Sequence, residues 1–218
     1  MAVKKKYSSE VRAAQALETR QSVVATAARL FIEVGYGSTT MDAVAEAAGV
    51  SRMTVFNSVG GKLDLLRLAL DQAVAGDDRP VPLLGRPEIE RLGELTDPHD
   101  IIREWATLTT TISGRLAALS VVLAVAAGVD DDARALRDEA GAQRHTGQRA
   151  FVTFLDSVGG LRSGIDLSTA ADVAWLYSDP QLYHRLVIER HWTPRQFEEW
   201  LTRAMSAELT ALHSPTEP

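Results

Sequence analysis

No cysteine occurs in the chain, so neither disulfides, thiolate metal sites nor cysteine nucleophiles are available, and a reducing compartment suits it. Lysine is absent after Lys62, and the longest apolar run, 116–127, broken only by Ser120, is too short to span a bilayer. The basic start at Lys4, Lys5 and Lys6 is followed by no apolar signal segment, so a cytoplasmic location without membrane partners is expected. Alternating apolar patterns are scarce, and β-branched residues fall at helical spacing instead, which disfavours strands. Catalytic signatures are missing as well. There is no Gly-rich phosphate loop after a strand, no nucleophile elbow and no metalloprotease helix, so no catalytic residue, cofactor or enzyme activity is assigned. His184 and His191 lack a third ligand at suitable spacing, and no metal site is assigned.

The 218 residues suffice for a small module joined to a larger one, and the charge is divided between them. Residues 1–62 hold eight Lys and Arg against five Asp and Glu, a net +3, whereas the remainder is net −9 within a total of −6. A basic head and an acidic body follow, and the head is the part suited to phosphates. Lys4, Lys5 and Lys6 would form either an arm along the DNA backbone or minor groove, or a solvated, disordered tail.

The most informative stretch is 39–57, which reads as two short helices hinged at a glycine. Thr39 or Thr40 can cap the first helix, with Asp42 placed three residues after Thr39 in a variant of the capping box. Met41, Val44, Ala45 and Ala48 share one helical face turned toward a core. Gly49 can take the left-handed conformation that ends this helix, and Ser51 caps the next. Its first turn, Arg52, Met53 and Thr54, has no acid, as befits a helix start that approaches phosphates. This is the pattern of a helix-turn-helix, whose second helix enters the major groove. Arg52 has the reach and donors to read guanine O6 and N7, or alternatively meets only phosphate.

Around the motif, 20–34 places Val23, Ala27, Leu30, Phe31 and Val34 on one face of a buttress helix. Lys62 to Ala75 continues helically as the connector. Pro80, Pro82, Pro87 and Pro98 break the chain over 76–99, with one short helix near Glu88 to Leu95. Further helices follow: a stripe of Ile101, Trp105, Leu108 and Ile112, a largely buried stretch over 116–127, and a long helix from Asp130 to Gly159. Ser168 is placed as the cap of a helix ending at Tyr177, and Asp179-Pro180 interrupts or restarts it. Thr193-Pro194-Arg195-Gln196 has the threonine cap, first-turn proline and glutamine of a capping box.

With these elements placed, the segment "RQSVVATAARLFIEVGYGSTTMDAVAEAAGVSRMTVFNSVGGKLDLL" over 20–66 resembles the TetR family of transcriptional regulators. The ending "LYHRLVIERHWTPRQFEEWL" also resembles many members. The resemblance implies an all-α protein with a three-helix DNA-binding head over 1–62 and a helical effector-binding and dimerisation body over 63–218. It further implies a homodimeric repressor, bound to a palindromic double-stranded operator and released by a small-molecule effector. By position, Thr40 and Lys62 would contact phosphates, Phe56 would lie against the backbone, Arg52, Met53 and Thr54 would face bases, and Asn57 a base or phosphate; Thr39 and Ser51 are counted with them as DNA-binding candidates. Members usually have tyrosine at the place of Phe56 and phenylalanine at that of Val59, and Gly60-Gly61 points to a looser exit from the reading helix. A rival from another class is a helical small-molecule-binding protein or enzyme whose basic head is incidental; a third is a protein-only adaptor.

In the body, Arg144 and Arg137 share a stripe with Ala140, Gly147 and Phe151 on the long helix. Facing a pocket, they would favour a carboxylate or phosphate effector; otherwise they form ion pairs or sit at a rim. Trp105, Thr109 and Ser120 are the other candidate pocket residues. Trp175, Tyr177, Trp200, Leu201 and Met205 are assigned to a dimer core, because two apolar helix stripes need a partner.

Overall fold

The computed structural model describes residues 2–76 and 87–211, with side chains from residue 14 onward. Pro80, Pro82, Gly85 and Leu212, and the side chains of Lys4, Lys5 and Lys6, lie outside the described residues. Among those described, every regular element is a helix: α1 (Ala2–Val34), α2 (Met41–Ala47), α3 (Arg52–Val59), α4 (Lys62–Ala75), α5 (Pro87–Gly93), α6 (Pro98–Ala127), α7 (Asp131–Ser157), α8 (Leu167–Tyr177), α9 (Pro180–Tyr183) with a following π-helical turn (His184–Glu189), and α10 (Pro194–Leu209). The all-α expectation therefore holds. Two compact units arise: one of 1–73 with 118–136, the other of 74–117 with 137–218.

In the first unit α1 is longer than expected, because nothing between Ala2 and Thr19 stops it. That tract contains no Gly or Pro and is rich in Ala, Lys, Arg, Glu and Gln, all favourable in helices, so the proposed free arm is helical backbone here. Val23, Val24, Ala27 and Phe31 are buried, but Val34, expected to face the core, is exposed. Val44 and Ala45 of α2, Val55 and Val59 of α3, and Leu65, Leu66, Ala69 and Leu70 of α4 add to the buried apolar set. Full burial of each larger side chain stabilises by about 1.5–3 kcal/mol relative to exposure. Leu119, Val122, Leu123, Ala126 and Ala127 of α6 and Ala133 and Leu136 of α7 are the buried apolar residues of the remaining segment.

The second unit has its own core of Ile101, Ile102, Trp105, Ala106, Phe151, Val152, Leu155, Ala170, Ala171, Ala174, Phe197, Leu201, Met205 and Leu209. Helix α6 is long and apolar enough to cross a membrane by length and composition. Its Ile101, Ile102, Trp105 and Ala106 are instead spent on this core. Helix α8 is capped by Asp166, whose carboxylate accepts from Ser168 N and Thr169 N at 2.9 and 3.0 Å. Ser168 is thus a first-turn residue, not the cap expected, because the carboxylate two residues earlier satisfies the free amides. Asp179 caps α9 with Pro180 at the first position, and the Thr193/Gln196 capping box of α10 is complete.

Candidate DNA-binding surface

The turn between α2 and α3 is built from local signals. Thr40 Oγ1 accepts from Ala43 N at 3.1 Å and starts α2, while Thr39 is buried and donates to Gly35 O at 2.9 Å. The capping role therefore falls to Thr40, and Thr39, expected among the DNA-binding residues, is a correction: it is buried and its hydroxyl is taken up by Gly35 O, which ties α2 to the end of α1. Gly49 takes φ 69°, which costs a residue without Cβ little and lets the chain reverse. Ser51 then caps α3 by accepting from Thr54 N at 3.1 Å, and its hydroxyl shares a 2.8 Å hydrogen bond with Thr54 Oγ1.

Helix α3 is sharply two-sided. Val55 and Val59, one turn apart, are buried, whereas Ser51, Arg52, Met53, Thr54, Phe56 and Asn57 are exposed. Met53 and Phe56 are 67% and 61% exposed, large apolar side chains in water on the face that polar residues otherwise occupy. Phe56 carries no hydroxyl, so it offers an exposed apolar surface but no hydrogen bond. Arg52 donates through Nη1 to Asp42 Oδ2 at 3.3 Å, a link across the turn that the spacing of the sequence gave no sign of.

The exit from α3 is tighter than its two glycines suggested. Gly60 N donates to Phe56 O at 2.9 Å, and Gly61 N donates to Asp64 Oδ2 at 2.8 Å, so both amides are taken up at once. Beyond it, Lys62 Nζ donates to Gly37 O at 3.3 Å and lies 4.4 Å from the centre of the Tyr36 ring. Burial draws the Lys62 ammonium below its usual range, opposed by the charge of Asp130. Burial, then Asp130, Asp132 and Asp64, push the Tyr36 phenol up. From the sequence, Tyr36 is only part of the Gly35-Tyr36-Gly37 helix end and Asp64 has no role; what they do depends on contacts across the fold.

Residues 23–69, which include this whole arrangement, match the sequence description "Bacterial regulatory proteins, tetR family". Over this segment the chain is similar to the TetR family. Over 77 residues it is 35% identical to the HTH-type transcriptional regulator SrpR of Pseudomonas putida and, equally, to the uncharacterized HTH-type transcriptional regulator TtgW of the same species. The match covers 35% of this chain, 34% of SrpR and 54% of TtgW, so it spans about a third and about half of those relatives. The fold likeness extends further: the fatty acid degradation regulator FadR of Bacillus halodurans superposes with a TM-score of 0.68 at 13% identity, over 86% of this chain and 94% of that one.

In the second unit, the sequence-predicted pocket residues are only partly gathered. Trp105 and Phe151 stack at 4.3 Å with planes 2° apart, and Trp105 Nε1 donates to buried Gln148 Oε1 at 3.2 Å. Thr109 is also buried. Gly147 is half-buried with open space where a Cβ would stand. Arg137 is a correction: it is exposed and pairs with its neighbour Asp138 at 2.7 Å, its backbone lying just past buried Leu136 so that the guanidinium turns outward. Ser120 belongs to the first unit, whereas Trp105 and Phe151 belong to the core of the second. Arg144 donates to Trp175 O and to Ser178 Oγ and lies 4.7 Å from the Trp175 ring centre. Burial lowers its pKa, opposed by Asp179. At the C-terminal end of α8 a cation meets the outward carbonyls, so Arg144 joins α7 to α8.

The residues assigned to a dimer core divide in two. Leu201 and Met205 are 0% and 1% exposed inside this chain's own core, which removes them from any interface. The wide stripe of α10 is satisfied by its own subunit, with Tyr183 edge-on to Phe197 at 5.1 Å. Trp200 is half-buried against Tyr177 at 6.0 Å, while Trp175 and Leu176 on α8 are exposed. His184 Nδ1 lies 3.2 Å from Glu189 Oε1 within the π-helical turn.

Proposed function

We propose that this chain is a TetR-family regulator, a dimeric, ligand-responsive repressor that binds a palindromic operator through α3. The carrying observation is the outward face of α3: Ser51, Arg52, Met53, Thr54, Phe56 and Asn57 stand exposed on a capped helix whose first turn holds no acid, while Val55 and Val59 anchor it. Arg52 and Thr54 supply donors for base edges, Met53 and Phe56 supply apolar contact, and Thr40 and Lys62 stand for phosphates. Residues 1–62 act as the DNA-binding module and 63–218 as the effector-binding and dimerisation body. Exposed Trp175 and Leu176 on α8 belong to the dimer surface in this reading.

Two copies would place their α3 helices in major grooves one helical turn, about 34 Å, apart. Release follows when the effector binds better to a body conformation that breaks this spacing, since a ligand shifts an equilibrium only by its differential affinity. A labelled duplex from upstream of the chain's own gene tests the reading. Salt-sensitive, sequence-selective retardation supports it; failure to enrich any sequence from random duplex DNA removes it.

A further inference from the structure

An acid on a surface meant for phosphates works against binding, and α2 carries one at its start. Asp42 receives the Arg52 guanidinium from ten residues along the chain, joining the first turns of α2 and α3. The two side chains are 69% and 68% exposed, so water screens the pair and it adds little to stability. Its carboxylate also repels every DNA backbone alike. An acid in the first turn of α2 suits the helix dipole, yet Thr40 already caps that helix, and the dipole does not account for a guanidinium drawn across the turn.

Orientation does account for it. An untethered arginine at the first position of α3 offers its five donors to the nearest phosphate as readily as to a base. With Nη1 engaged by Asp42, the remaining N–H groups are biased toward one orientation relative to the axis of α3, and the carboxylate beside them disfavours a swing toward phosphate. We infer that Asp42 is a positioning residue that sets base specificity by holding Arg52 for a base edge, trading general DNA affinity for discrimination. The inference rests on α3 being the reading helix.

The full chain is first used to enrich a preferred duplex from random sequence, and a panel is made with each base pair of that duplex changed in turn. Wild type, Asp42→Ala, Asp42→Asn, Arg52→Ala and the Asp42→Ala/Arg52→Ala double variant are titrated against the panel and against unrelated duplex. Asp42→Ala is expected to lower discrimination about three- to tenfold, part of what a bidentate arginine–guanine contact supplies, at the base pair where Arg52→Ala lowers it. Its affinity for unrelated duplex holds or rises, and the double variant matches Arg52→Ala. Asp42→Asn, which keeps an acceptor of the same size without the charge, falls between and carries the test alone if the alanine variant does not fold. An even loss of affinity across the panel, an effect at a different base pair, or losses that add in the double variant overturn the inference. If wild type enriches no sequence, the DNA-binding reading fails; if it does and Asp42 variants discriminate like wild type, only the role of Asp42 fails.

Discussion

Gly60→Ala would separate backbone need from loose linkage at the end of α3. Gly60 has φ 86° and ψ −142°, a conformation that side-chain-bearing residues rarely adopt, and forcing alanine into it costs on the order of 1–3 kcal/mol. A Cβ there would stand 2.5 Å from Asp64 Oδ2 and 3.1 Å from Asp64 Cγ, so the carboxylate must leave. It then gives up the 2.8 Å hydrogen bond from Gly61 N that starts α4, a capping loss of about 0.5–2 kcal/mol. Reduced freedom of the unfolded chain returns about 0.4–1 kcal/mol, leaving a net loss of about 1–4 kcal/mol. Amide hydrogen exchange resolved over α3 and α4 measures this locally, where a whole-chain melt would mix in the other unit. Asp64→Ala alone should show only the capping loss. In that background Gly60→Ala should cost less than in wild type, since the group it strikes is gone. A Gly60→Ala cost below about 0.5 kcal/mol, within the range of an ordinary surface change, or strict additivity with Asp64→Ala would refute the reasoning.

The remaining expectations concern separate sites. Lys62→Ala should weaken binding to all duplexes and reduce the salt slope by about one unit, whereas Arg52→Ala should relax sequence preference; equal losses of preference from both would abolish that division. Thr110 Oγ1 is buried without a hydrogen-bond partner among the described residues, so Thr110→Val should leave stability unchanged or raise it by about 1 kcal/mol in urea unfolding. Arg144→Met should cost about 1.5–3 kcal/mol by loss of a charged hydrogen bond to the end of α8, and shift tryptophan emission through Trp175. Hydrogen bonds from Thr169 and Ser168 hold the Asp166 carboxyl below its usual 3.8. Its stabilising contribution is therefore present above that value and lost as pH falls through the lower folded one. The stability gap between wild type and Asp166→Ala should narrow from about pH 5 to pH 2 in thermal melts.

What the sequence made legible was mostly what lies within one turn of a helix end. Thr40, Ser51, Asp179 and the Thr193/Gln196 box cap as the local chemistry requires, and Gly49 takes the left-handed conformation its place demanded. The inward face of α3, Val55 and Val59, has the four-residue spacing of one helical turn, a signal in the chain that the sequence reading passed over. Ser168 misled because two acceptors, Asp166 and Ser168, compete within a turn, and only backbone geometry decides between them.

Pairings across elements had no such signature. Leu201 and Met205 sit on an apolar stripe that would look the same whether its own subunit or a second copy covered it; the fold shows the former. Arg144 and Arg137 occupy almost the same angular position on α7, seven residues apart, yet one is taken up by the end of α8 and the other stays in solvent. Periodicity specifies an angle about one helix axis, but not whether another element is opposite at that height. The same limit applies to Asp42: its position in α2 reads as a favourable acid at a helix start, and its hold on Arg52 exists only once the turn sets the two helix starts side by side. A DNA-reading surface is therefore specified at two levels. Caps and anchors set where α3 points and can be read from the chain, whereas the Asp42–Arg52 pair, on which discrimination rests in the inference above, contributes little to stability and leaves no periodic trace.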